Sequence, residues 1–231
     1  QAGGENRRVL TTFELPEGHI QIVGAGWSPT GEWFSWMSRG SGGRAAPNVH
    51  IVDYAGRAAQ AIFSQSAAVF DAQWSPTEDY LLIRYWETPD QTIDNIAVYN
   101  PAVAEVVFTL RGESFNPTTL ETAFVTAWSR DGNYLLVQDN ASNRLLVIDS
   151  DQWNVQQEIR VGRTNLPYGD ALPRWLTDDR FAYLSGDQST LVVQAINESS
   201  IEHIPLPNGE VVSGLFPSID GRYALLSGSS E

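Results

Sequence analysis

An all-β fold built from repeated four-stranded sheets follows from three features of the sequence. The peptide Trp-Ser-Pro-Thr stands at residues 27–30 and again at 74–77, and a strand-like run follows each time, WFSW at 33–36 and YLLI at 80–83. Related segments open at Trp128, Trp175 and Phe216, giving intervals of 47, 54, 47 and 41 residues between successive anchors. No stretch sustains a 3.6-residue apolar period over three turns, so helix is expected to be scarce.

Each copy reads in the same order. The anchor Trp ends a first strand, and an aromatic stands six residues later: Trp33, Tyr80, Tyr134 and Phe181, shifted by one extra residue to Tyr223 in the fifth copy. Between them lies turn chemistry: Ser-Pro-Thr-Gly, Ser-Pro-Thr-Glu, Ser-Arg-Asp-Gly, Leu-Thr-Asp-Asp and Ile-Asp-Gly. Proline presets φ for a turn, and Gly and Asp tolerate the positions that close it. A second strand and a polar loop lead to a third strand at NVHIVD (48–53), NIAVYN (95–100), NRLLVID (143–149) and STLVVQA (189–195). After another turn comes a fourth, at AAQAIFS (58–64), EVVFTLR (105–111), VQQEIRV (155–161) and SIEHIPL (200–206).

Four short antiparallel strands repeated about every 47 residues are the signature of a β-propeller blade. One such sheet cannot bury both its faces, so each leans on its neighbours. Leu81-Leu82-Ile83 and Leu135-Leu136-Val137 therefore read as apolar runs covered on both sides. The expected fold is one all-β domain over residues 1–231, a propeller of about five blades. Its last blade has only two strands before the sequence stops. Residues 7–16, RRVLTTFELP, resemble an outermost strand and are expected to close that blade by pairing the two chain ends; the alternatives are that the chain is a fragment of a larger propeller or that a neighbouring molecule supplies the missing edge. An unfilled strand edge is also a template for another chain.

Composition narrows function. There are 28 acidic and 14 basic residues, a formal net charge of −14, and every basic residue is Arg. With no basic patch beyond Arg7-Arg8, phosphate backbones and anionic lipid surfaces are repelled. The absence of Lys removes Schiff-base chemistry and the P-loop lysine. The absence of Cys removes disulfides and thiol nucleophiles. No apolar run approaches the roughly 18 residues of a membrane span. The sequence opens Gln-Ala-Gly-Gly, which suggests a removed secretory signal and an extracytoplasmic location (secreted, cell-surface or periplasmic), with a trimmed chain as the alternative.

The segments WSPTGEWFSW, WSPTEDYLLI and WSRDGNYLLV resemble the W-S-P-D-G-x-x-[LI] motif of TolB-like, WD-type propeller repeats, also seen in the propeller of prolyl-oligopeptidase-type peptidases. The resemblance runs from about residue 20 to 228. The usual Asp is Thr in the first two copies, and the fourth and fifth are degenerate. It implies a fold and hardly any function.

Several candidate sites can be weighed. Asp71, three residues before Trp74, is expected on an innermost strand and is the one acid suited to a glycan-hydrolysing site. The matching positions are Gly24, Val125, Leu172 and Ser213, so the second carboxylate that glycoside hydrolysis needs is missing there. Asp53, Asp149 and Asp151 read as turn formers. His19, His50 and His203 share no ligand spacing, and TDDR (177–180) and SRDG (129–132) lack the alternation of a calcium loop, so no metal or cofactor is expected. GAGWSP (24–29) leads into a hairpin rather than a helix, and RGSGGR (39–44) contains no nucleophile elbow. Trp36, Tyr85, Trp86 and Trp153 fall outside the repeated aromatic positions and, with Arg174 on an inner strand, are candidates for binding a protein or a glycan. Asn140 and Asn197 begin Asn-x-Ser sequons. The expectation is a non-catalytic protein-binding or structural scaffold that self-assembles through its incomplete blade. The alternatives are a glycan-binding or glycan-hydrolysing propeller and the propeller of a larger peptidase.

Overall fold

The computed structural model describes residues 19–40, 48–56, 60–62, 68–87, 93–112, 124–162, 173–187, 189–196, 201–206, 210–218 and 220–230. Among them there are strands, turns and no helix. The strands are β1 (His19–Trp27), β2 (Trp33–Gly40), β3 (Asn48–Asp53), β4 (Gln60–Ala61), β5 (Ala68–Trp74), β6 (Leu81–Trp86), β7 (Asn95–Asn100), β8 (Glu105–Arg111) and β9 (Phe124–Trp128). They continue with β10 (Tyr134–Asp139), β11 (Arg144–Asp149), β12 (Asn154–Arg160), β13 (Arg174–Trp175), β14 (Arg180–Leu184), β15 (Thr190–Ala195), β16 (Ile201–Pro205), β17 (Glu210–Pro217) and β18 (Ala224–Ser230). Consecutive strands pair antiparallel into four four-stranded sheets, β1–β4, β5–β8, β9–β12 and β13–β16, followed by the two-stranded β17–β18. Strands β3, β7 and β8 coincide with the segments expected from the sequence. The expected closing strand at 7–16 and the loop RGSGGR, apart from the backbone of Arg39 and Gly40, lie outside the described residues.

The chain divides into two compact units, Gln1–Gln91 with Asn95–Thr109, and Thr92–Asp94 with Leu110–Glu231. The first holds the sheets β1–β4 and β5–β8. Met37, Val49 and Ile51 of one meet Val69, Leu81, Ile83 and Tyr99 of the other in a shared core. In the second unit, alternate residues of single strands enter different cores. Phe181, Tyr183 and Val192 pack with Leu136, Leu145 and Val147 of the sheet before. Ala182, Leu184, Leu191 and Val193 pack with Leu215 of the sheet after. Period-two geometry sends successive side chains to opposite faces, so the sheet β13–β16 is covered on both. This is why its strands read as continuous apolar runs rather than as alternation.

The anchor tryptophans cross from sheet to sheet. Trp74 Nε1 donates to the Gly26 carbonyl at 3.1 Å, and Trp175 Nε1 donates to the Ala127 carbonyl at 2.9 Å. In each case the acceptor is the residue just before the preceding anchor. A buried indole N–H needs a partner, and the repeat supplies one for Trp74 and Trp175, whereas the Trp128 N–H is buried with none among the described residues. Trp27, the first anchor, is 48% exposed.

Four of the five turns after the anchors close in one way, and that of the fourth copy closes one residue shorter, with the Leu176 amide on the Arg180 carbonyl at 2.8 Å. The backbone N–H of Ser28, Ser75, Ser129 and Ser218 donates to the carbonyl of Trp33, Tyr80, Tyr134 and Tyr223 at 2.7–2.8 Å. The hydroxyl of Ser28, Ser129 and Ser218 in turn accepts the amide of that aromatic. Asp131 and Asp220 each accept the serine hydroxyl at 2.7 Å. Thr30 stands where the repeat ordinarily has this Asp, and its hydroxyl donates instead to the Asp79 carboxylate of the next copy, at 2.6 and 2.8 Å. Gly221, at φ +66°, packs so closely that a Cβ there lies 2.5 Å from the Leu176 carbonyl oxygen of the neighbouring turn. Only glycine satisfies both the positive φ and the approach.

The β14–β15 turn carries a pH-dependent contact. The Ser185 hydroxyl donates to Asp187 at 2.6 Å and the Ser189 amide donates at 3.1 Å, and these bonds lower the carboxyl from 3.8 to about 2. The folded value lies below the unfolded one, so the linked stabilisation is complete above the unfolded value and is lost as pH falls through about 2. Carboxyl NMR is expected to place the Asp187 midpoint near 2, and Ser185→Ala is expected to return it toward 3.8. A midpoint unmoved by that substitution removes the hydroxyl as the cause.

Candidate interaction site

The sheet β17–β18 differs from the others by what it leaves open. The second strands of other copies present Leu81-Leu82-Ile83 and Leu135-Leu136-Val137, all buried, with Leu82 at 1% exposure. The same run in β18 is Ala224-Leu225-Leu226, preceded by Tyr223, and here Leu225 is 68% exposed. Leu226, Tyr223 and the facing Phe216 are exposed as well. Cross-strand, Phe216 pairs with Leu225 and Leu215 with Leu226, so exposed Phe216 and Leu225 share one face of the sheet, and exposed Leu226 shares the other with buried Leu215.

The free edge differs in kind too. Outer edges of four-stranded sheets carry charge or proline: Glu105 and Arg111 on β8, Glu158 and Arg160 on β12, Glu202 and Pro205 on β16. Such residues discourage pairing with a further strand. Strand β18, ALLSGSS, has none of them. It has the chemistry of an interior strand and, among the described residues, one hydrogen-bonded neighbour, β17. A backbone edge of this type accepts an added strand through its N–H and C=O groups, while the apolar side chains gain cover.

The residues singled out by sequence fall in different environments. Trp36 is 2% exposed and stacks on His50, with ring centroids 5.3 Å apart and planes at 13°. On β2, Trp36 is packed among Phe34 and His50 rather than presented at the surface. Tyr85 packs against the core of the first unit, and Trp86 lies 5.3 Å from the Phe70 ring. Both are half-buried. Trp153 is half-buried and meets Trp128 edge-on at 6.1 Å. Its φ of +50° occupies the turn position held by Ala104 in the second copy and Gly56 in the first. Arg174 is half-buried on β13, opposite Ala182.

Asp71 is half-buried beside a bulge in β5, and its cross-strand partner is Arg84, whose guanidinium sits 4.9 Å from the Phe70 centroid. Bulges and charges on edge strands limit unwanted pairing, which accounts for an acid at this place. His50 bonds Ser38 at 3.2 Å, and His203 is exposed on β16. No group of three acidic, histidine or cysteine side chains suited to a metal occurs among the described residues. The Asn140 sequon is closed to modification: Asn140 is 2% exposed and its carbonyl accepts from Gln138 at 2.9 Å. Asn197 lies outside the described residues. No helix among the described residues is long and apolar enough to cross a membrane.

No protein-family profile and no curated protein matches this chain. Solved structures do. The C-terminal WD40 domain of Sif2 superposes with a TM-score of 0.53 at 16% identity, covering 90% of this chain and 55% of that one. The fold is that of a β-propeller. A eukaryotic initiation factor gives 0.61 at 16% identity, covering 94% and 51%. Dipeptidyl peptidase 4 of Porphyromonas gingivalis gives 0.61 at 11% identity, covering 87% and 33%. The chain thus spans about half the length, or less, of these propeller-type structures. Identities this low speak to fold alone.

Sequence reasoning expected a short last sheet but not which of its apolar residues are exposed. The signal was present in the absence of charge and proline from 224–230, against their presence in every full-length outer strand.

Proposed function

We propose that this propeller is a non-catalytic, extracytoplasmic protein-binding scaffold that self-associates by strand addition at β18. The observation that carries the reading is an uncharged, interior-type strand whose outer edge and apolar side chains are open among the described residues. The WD40 likeness supports protein contact as the general role of the fold. The occupant argued here is a second copy of the chain. Two β18 strands related by a two-fold axis build a sheet in the order β17–β18–β18–β17, with four strands like the others. Main-chain hydrogen bonds along the new β18–β18 edge carry this association, and Leu225 and Leu226 gain partial cover from the side chains of the added strand. Location outside the cytoplasm rests on the sequence alone and is checked by fractionating source cells.

Sedimentation velocity across a concentration series tests the association. The wild-type chain is expected to show reversible mass-action growth, and Leu225→Lys is expected to sediment as monomer at every concentration with an unchanged circular dichroism spectrum. A wild-type monomer throughout, or a Leu225→Lys variant that associates equally well, sinks the proposal. Substitution of Asp71 by Asn is expected to leave both properties unchanged.

A further inference from the structure

The repeat is broken in sign at one place. The residue after the capping Ser or Thr is Pro29 and Pro76 in the first two copies, but Arg130 in the third and Asp178 in the fourth. The turn does not use that side chain, since Asp131 and Asp179 close it by accepting the Ser129 and Thr177 hydroxyls, both at 2.7 Å. Arg130 and Asp178 line one cavity of about 540 Å³ in the second unit, with Trp175, Leu176 and Pro217 as apolar walls and Asp220 on the rim. A pocket of this size, apolar with few charged groups, has the character of a small-ligand or side-chain site.

The charges in it are unequal in availability. Arg130 is engaged in another interaction of the protein. The Asp220 carboxylate accepts from Ser218 and pairs with Arg222 at 3.2 Å. Asp178 is exposed and makes no hydrogen bond or ion pair with any described residue. Asp178 is therefore the lining carboxylate open to a cation, with Arg130 as the opposing charge, in a chain of net charge −14 that attracts cations from a distance.

The geometry points to a binding site for a basic side chain, arginine before lysine, presented by a loop of a partner protein. Its guanidinium meets Asp178, and its stem lies on Leu176 and Pro217. A planar, weakly hydrated guanidinium suits a carboxylate set beside apolar walls better than a strongly hydrated ammonium does. The site is separate from the β18 edge and stands whether or not that edge self-associates.

The test uses the ¹⁵N-labelled Leu225→Lys chain, so that association does not confuse the reading. N-acetyl-arginine amide is titrated, with N-acetyl-citrulline amide as the neutral isostere and N-acetyl-glutamate amide as the acidic comparison. Saturable shifts are expected at the amides of Thr177, Asp178 and Asp220 and at the Trp175 indole. The citrulline derivative and the added Asp178→Asn substitution are each expected to weaken binding by about threefold or more. Added Arg130→Gln is expected to strengthen it by removing a like charge. Shifts scattered over the acidic surface, indifference to Asp178→Asn, or stronger shifts with the glutamate derivative each overturn the assignment. Asp178 makes no hydrogen bond or ion pair with a described residue, so the spectrum away from residues 177–179 serves as the internal check of folding when it is substituted.

Discussion

Replacing Trp175 by alanine is expected to lower the unfolding free energy by about 3–5 kcal/mol, the range for truncating a buried large aromatic. The indole lies between two sheets. Its ring is 6.1 Å from Tyr134 and 5.5 Å from Phe181, and its N–H is bonded to the Ala127 carbonyl at 2.9 Å. Trp175→Phe separates the two contributions. It keeps most of the apolar contact but leaves the Ala127 carbonyl without its donor, at a cost of about 1–3 kcal/mol. Urea unfolding measures both. If Trp175→Phe matches the wild type, the inter-sheet hydrogen bond stabilises nothing and the anchor acts through packing alone. Trp27→Ala is the control, because Trp27 is half-exposed and contacts Phe34 at 5.1 Å. Its cost is expected to stay near or below about 1 kcal/mol. Equal losses at Trp27 and Trp175 contradict the view that the anchor acts by bridging sheets.

Asp139→Ala is the second large effect. This carboxylate is wholly buried at the end of β10, where the chain reverses into β11. One oxygen accepts the amides of Ala141 and Ser142 at 3.0 and 3.3 Å. The other accepts the Ser142 hydroxyl at 2.6 Å and Arg144 Nε at 3.2 Å. Alanine removes four acceptor contacts together and leaves Arg144 the longer ion pair with Glu158, at 3.9 Å. Breaking a buried pair from one side costs about 3–5 kcal/mol, and the low end applies because Arg144 keeps partial contact with water. Asp139→Asn keeps the shape and one acceptor oxygen but loses the charge, so an intermediate loss is expected. Denaturant midpoints order the three proteins as wild type, Asn, Ala. An Asn variant as stable as the wild type shows that the turn needs the acceptor geometry and not the charge.

Both effects act within a scaffold whose proposed functions sit elsewhere. The β18 edge and the Arg130–Asp178 cavity are loop and edge features carried on covered sheets. This is the usual division in propellers, where the repeat supplies rigidity and the variable positions supply recognition. A variant such as Asp139→Ala is therefore expected to alter binding only through loss of fold.

Much of this architecture was legible in the residues. The recurring Trp, the turn after it and the aromatic six positions later are local patterns, governed by backbone sterics and hydrogen bonds within a few residues. They placed β3, β7 and β8 at the segments observed. Which faces are covered is a different matter. Trp36 and Trp153 both lie outside the repeated positions, yet one stacks on His50 in a closed interior and the other lies half-open against Trp128. Asn140 sits in an acceptor sequon but is walled in by its own hairpin.

By itself, then, the sequence determined an all-β chain of Trp-anchored antiparallel sheets, because strand period and turn chemistry are short-range properties. Only the tertiary structure decided which side chains are open. Leu82 and Leu225 belong to the same kind of strand, and what separates them is whether further strands and another sheet cover them. Arg130 and Asp178 are 48 residues apart and become neighbours only when successive sheets pack side by side. Burial and juxtaposition across such distances come from the stacking of sheets, which no window along the chain contains.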